Sequence, residues 1–196
     1  MKGVWLEDLT SAEARARFDR GDAVVIPIAS VGSQGPHLPL GTGGMIARAL
    51  GQRLIERLPV VVAPAVSFSA PYIQHETFRQ MMCEVVDTFR AQGAARIALL
   101  DAGLSAERCL EGPSGVLLLS VRDMPGGLID RLRSGSTGEH ETSMVLALAP
   151  RSVRPAASAG AGDPSDATAF KGERLLAAWV DAVATMLTAE WPQLDA

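Results

Sequence analysis

Histidine and cysteine are scarce in this chain, three and two in 196 residues. Cys83 and Cys109 have no partner in CxxC or Cys/His spacing, so neither a disulfide framework nor a zinc finger is indicated, and a reduced compartment fits. Runs of Lys or Arg are missing and the formal net charge is −4, which removes the electrostatic footprint that phosphate-backbone binding requires. Nucleic acid is therefore not an expected partner. No window approaches the roughly 18 uninterrupted apolar residues of a membrane span, and the stretch Met1 to Asp8 lacks the apolar segment of a secretory signal. A cytoplasmic protein with no membrane association is the resulting expectation. What the chain does have is a 47% hydrophobic, 20% charged composition over one domain's length. Such a chain buries about 70% of the surface it exposes when unfolded, so residues 1–196 are expected to fold as a single domain without disulfide or metal staples.

Short apolar runs at Val24 to Ala29, Pro59 to Val66, Arg96 to Ala102 and Val116 to Val121 read as buried parallel strands. Helical patterns separate them. Thr10-Ser11-Ala12-Glu13 is a capping box opening a helix that stops near Gly21. Ile46, Leu50, Leu54 and Ile55 form an apolar stripe on a helix from Thr42 to Leu58, which Pro59 ends. Met82, Val85, Val86 and Phe89 mark the next helix. Ser136-Thr137-Gly138-Glu139 reads as the cap of a helix to Leu148, and Leu175, Leu176, Trp179, Val180, Val183 and Leu187 as a last amphipathic helix. Between them, Pro155 to Thr168 is a loop, either a connector or a flap over a pocket. Strands alternating with helices imply crossovers, hence an α/β fold with a mainly parallel sheet covered on both faces.

Pro36-His37-Leu38-Pro39-Leu40-Gly41-Thr42, following a strand, resembles the N-terminal signature of the creatininase (creatinine amidohydrolase) family. His75-Glu76-Thr77-Phe78 is similar to that family's H-x-x-F segment, and Gly138 to Pro150, with Glu141-Thr142-Ser143, to its G-x-x-E-T-S helix. Gly162-Asp163-Pro164, Ala167 and Lys171-Gly172-Glu173 match its C-terminal loop and helix entry. The resemblance implies a three-layer αβα fold, a homo-oligomer, often a hexamer in the family, and a two-metal site that opens a cyclic amide or related C–N bond. Paired cations at such a site polarise the carbonyl and generate hydroxide near neutral pH.

The ligand set that the resemblance implies is thin here. The family's E-Q-H-G-P-H becomes Gly32-Ser33-Gln34-Gly35-Pro36-His37, and its T-D becomes Thr42-Gly43. Its N-G-H segment becomes Asp101-Ala102-Gly103-Leu104-Ser105, and a further His falls on Ser136. The expectation is accordingly no catalytic metal and no other cofactor. A cleft at the carboxyl ends of the strands should persist, where parallel α/β sheets place their ligands. By the resemblance it is lined by Ser33, Gln34, His37, His75, Asp101, Ser105, Glu139, His140 and Glu141.

Among these, His37, Asp101 and Glu141 are the candidate acid–base groups, with Ser33, Gln34, His75, Ser105, Glu139 and His140 as substrate contacts. His37 brings an imidazole, the side chain type suited to proton transfer at neutral pH, to a Pro-flanked loop, and serves either as acid or base or, by bonding to backbone, as a pin holding that loop. Asp101 ends a buried strand, where it is either a desolvated acid or a cap on the next turn. Glu139, His140 and Glu141 are successive on a helix, so they point about 100° apart and do not all enter one site; Glu139 reads as a capping carboxylate and His140 as a surface residue. Tyr72 reads as a half-buried packing residue and Cys83 as core. Thr42-Gly43-Gly44 fits neither a P-loop nor G-x-G-x-x-G, and no G-x-S-x-G elbow is present.

Three functions are compatible with these residues. The first is a metal-independent acid–base enzyme acting on a small cyclic or amide-bearing metabolite, by ring closure or opening, dehydration or isomerisation. An Ala-, Gly- and Arg-rich composition suggests a high-GC bacterium and a role in specialised biosynthesis. The second is a non-catalytic paralogue serving as a scaffold or oligomer subunit, and the third an amidohydrolase with a rebuilt metal site.

Overall fold

The structure, a computed structural model, describes residues 2–68, 72–102, 114–120, 138–154 and 165–195. Strands β1 (Val4–Trp5), β2 (Ala23–Ile28), β3 (Val60–Val62), β4 (Ile97–Asp101) and β5 (Leu117–Ser120) form one sheet in the order β1-β3-β2-β4-β5. Every pairing is parallel. Helices α1 (Ser11–Arg20), α2 (Thr42–Arg57), α3 (His75–Ala91), α4 (Gly138–Leu148) and α5 (Ala169–Glu190) cover it.

Alternation along the strands splits the core in two, because successive side chains of a strand point to opposite faces. Val24, Ile26 and Ile28 pack with Phe18 of α1 and Phe78, Met82 and Val86 of α3. Ala23 and Val25 pack with Ile46, Leu50 and Leu54 of α2, Met144 of α4 and Leu176 and Val183 of α5. The result is the expected three-layer αβα arrangement.

Local chemistry sets the element ends. The Thr10–Glu13 capping box forms in both directions, and Gly21, at φ 92°, ends α1 in the left-handed conformation that glycine adopts without steric cost. Pro27 occupies a central strand, an unusual place for a residue without an N–H. Backbone groups of Val24 and Ile28 face β4, whereas Val25 and Pro27 face β3, where the Pro27 carbonyl accepts from Val66 N at 2.9 Å. The missing donor thus falls where β3 has already ended. This shortens the third strand expected to run from Pro59 to Val66: ladder pairing stops at Val62, and one isolated bridge, Ile28 to Val66, follows Pro64.

The two-residue edge strand β1 carries no periodic signal and was not anticipated. Cys83 is half-buried on α3 rather than in the core, because the stripe through Phe78, Met82, Val86 and Phe89 leaves it to one side. Tyr72 is 54% exposed, and its ring meets the equally exposed Phe68 edge to face at 6.4 Å, so it is not a half-buried packing residue. Cys109, the Ser136 cap and most of the Pro155 to Thr168 loop lie outside the described residues. No described helix is long and apolar enough to cross a membrane.

Candidate active site

The carboxyl ends of β2, β4 and β5 form one level of the sheet, with Ile28, Asp101 and Ser120 side by side in register. Asp101 is fully buried and Ser120 nearly so. Beyond β2 the chain stays paired, Ala29 N donating to Val66 O and Val31 N to Ser67 O, both at 2.9 Å. Gly32 N then donates to Leu40 O at 3.0 Å, closing a loop over residues 32–40. Thr42 fixes its far end by donating its hydroxyl to Pro39 O at 2.7 Å as α2 begins.

His37 projects from this loop into the interior, 2% exposed, with Nε2 2.7 Å from Thr142 Oγ1 on α4. Thr142 has one hydroxyl hydrogen, and it is directed at the Gly138 carbonyl one turn back. Donor counting therefore places an imidazole hydrogen on Nε2 and leaves Nδ1 without a part in this contact. Gly35, at φ 98°, wraps the ring so closely that a Cβ there would sit 3.1 Å from Nδ1. Arg154 N donates to His37 O at 2.8 Å, adding a second tie between the loop and the chain after α4. His37 thus ties the loop to α4 through the Thr142 side chain, not through the backbone bond expected of a pin.

The first two turns of α4 are buried on all sides, from Gly138 to Val145. Gly172 makes this possible: a Cβ on it would overlap the Ser143 carbonyl and come within 2.7 Å of Met144 N, so α5 crosses α4 backbone to backbone. Ser143 Oγ also accepts from Thr168 N at 3.2 Å. Burial places Glu139, His140 and Glu141 in the interior together, which corrects the expectation of a surface His140: it is 6% exposed. Desolvation lowers the His140 pKa, opposed by Glu139 and assisted by Lys171. Glu139 forms an ion pair with Lys171 of α5, and the Ser136 end of its expected capping box lies outside the described residues. Glu141 is 8% exposed, and its Oε2 has no hydrogen-bond partner among the described residues. Burial pushes its carboxyl up to about 7, only partly offset by a hydrogen bond from its own backbone N–H.

Other candidates are placed less centrally. Ser33 is exposed and Gln34 half-buried in the loop before His37, and Ser105 lies outside the described residues. His75 is exposed in the first turn of α3, the helix on the opposite face of the sheet from α4. Thr142 and Lys171 were missed as site residues, although both stand within motifs quoted above. The signal for Thr142 is a hydroxyl one residue after a buried carboxylate in a helix interior, where threonine bonds back to the preceding turn.

A parallel sheet with a polar, buried helix behind its carboxyl edge is the layout in which α/β folds place their ligands. The sequence profile of the creatininase (creatinine amidohydrolase) family matches residues 7–102. A solved creatinine amidohydrolase superposes with a TM-score of 0.74 at 19% identity, over 98% of this chain and 99% of its own. A mutant creatininase of Zn–Zn type gives 0.72 at 18% identity, over 98% of this chain and 100% of its own. The similarity to the creatininase family is thus one of sequence over residues 7–102 and of fold over nearly all of this chain. A mycofactocin precursor peptide peptidase of Mycobacterium tuberculosis (strain CDC 1551 / Oshkosh) is 27% identical to it, over 96% of this chain and 93% of the peptidase.

Whether the residues present suit a metal pair is decided by donors. Among the described residues, no group of three or more His, Cys, Asp or Glu side chains is placed to hold an ion. At Gly43, where the resemblance implies an Asp, there is no donor, and a Cβ would lie a tight 3.0 Å from the Ser30 carbonyl oxygen. Gly32 faces open space, but it has no donor to offer. The described residues do not fit a dinuclear centre.

Proposed function

We propose that this protein acts on the C–N bond of an amide- or peptide-bearing substrate, with acid–base groups around α4 in place of a metal pair. The observation that carries this reading is the buried Glu141 carboxyl, with an oxygen that has no hydrogen-bond partner among the described residues, on the same helix that holds His37 through Thr142. In the proposed step, water adds to the amide carbon as His37 Nδ1 takes its proton. The C–N bond then breaks, and protonated Glu141 gives its proton to the departing nitrogen. Such groups contribute about 10²–10⁴-fold each. The 32–40 loop must lift to bring Nδ1 to a substrate, since His37 is buried. Asp101 stands at the strand end as a second carboxylate, Ser33, Gln34 and Ser105 supply polar contacts to substrate, and Glu139 and His140 shape the floor. His75 is a peripheral contact. The peptidase relatives favour a short peptide over a free cyclic metabolite.

A second reading, a non-catalytic subunit, is favoured by the Nε2 hydrogen of His37 being already engaged within the fold. Purified protein assayed on a panel of dipeptide amides and lactams, with and without chelator, separates the two. Chelator-resistant turnover that falls about 10²-fold or more in Glu141→Gln and His37→Gln supports the acid–base enzyme. Turnover that requires added zinc or manganese overturns it, and inactivity across the panel favours the subunit.

A further inference from the structure

A cavity of about 180 Å³ opens beside the start of α5, lined by Thr168, Phe170, Lys171, Arg174 and Leu175. Whole-ligand sites are typically about 300–1,000 Å³, so this one takes the end of a molecule. Its walls combine two apolar side chains with two cations, and the cations differ in availability. Lys171 is committed: it pairs with Glu139 and donates to Asp166 O at 2.9 Å. Arg174 is not. Its guanidinium lies 5.9 Å from the centre of the Phe170 ring and has no hydrogen bond or ion pair among the described residues. A guanidinium presents a planar fork of donors that matches a carboxylate in bidentate fashion. Phe170, 74% exposed, leaves an aromatic face beside that fork for an apolar group to cover. Through Lys171 and Glu139 the cavity adjoins the first turn of α4.

We propose that this cavity is a binding subsite for the carboxylate of an apolar amino-acid residue, the C-terminal end of a peptide whose scissile amide lies at α4. The chemistry of the cavity defines the carboxylate and its apolar body; that they belong to a peptide rests on the function proposed above. The test is calorimetric titration of the full chain with N-acetyl-phenylalanine and with N-acetyl-phenylalaninamide, accompanied by ¹⁵N NMR of the Arg174 side chain. The free acid is expected to bind at least about tenfold more tightly than the amide, and Arg174→Gln to abolish the difference. Arg174 is exposed, so circular dichroism of that variant is expected to match the parent. Equal binding of acid and amide, no binding of either, or an acid preference that survives in Arg174→Gln overturns the subsite. Amide turnover is read in a separate assay, so a silent enzyme with a retained acid preference refutes the functional reading alone.

Discussion

Replacing Glu141 by Gln tests the burial argument quantitatively. Burial raises this carboxyl from 4.5 to about 7. Between those values the folded chain holds a proton that the unfolded chain has released, so this group makes stability fall as pH rises through that window. Below about pH 4.5 both states are protonated and the cost vanishes; above about pH 7 both are ionised and the cost is complete. A rise of this size corresponds to about 3 kcal/mol, of which about 2–3 kcal/mol develops between pH 5 and pH 8. Gln has nearly the same shape and no charge, and Oε2 has no partner among the described residues to lose. The assay is urea unfolding of parent and Glu141→Gln at both pH values. Groups such as His140, common to both proteins, cancel in the comparison. The variant is expected to gain about 2–3 kcal/mol on the parent from pH 5 to pH 8. An unfolding free-energy difference that is the same at both pH values refutes the reasoning.

Thr142→Val keeps the side-chain volume but removes the acceptor of the buried His37 N–H, and is expected to cost about 1–3 kcal/mol in unfolding experiments, with Thr142→Ser largely restoring it. Gly172→Ala drives a methyl into the Ser143 carbonyl. Because backbone rather than a flexible side chain must yield, thermal unfolding should show a loss of about 3 kcal/mol or more, or no folded protein.

The fold was legible where one signal dominates. Helix α1 could be bounded because Thr10, Glu13 and Gly21 each satisfy or end specific backbone groups, and α2 because its apolar stripe runs into Pro59. The third strand was overextended because an apolar run does not reveal that Pro27 on the neighbouring strand withholds a donor. The site was less readable. His37 and Thr142 are 105 residues apart, and nothing local announces their contact. His140 reads as a surface residue because it falls at a variable position of the family pattern; the close crossing at Gly172, a tertiary event, buries it. Arg174 and Phe170 sit on an ordinary exposed stretch of helix, where sequence spacing cannot show a cavity.

Metal analysis of the purified protein bears most directly on the account. Protein produced with zinc and manganese in the medium, passed through size exclusion and measured by inductively coupled plasma mass spectrometry, is expected to carry far less than one equivalent of either ion per chain. Two equivalents per chain that survive dialysis would contradict it, the more so if they are lost in Glu141→Gln.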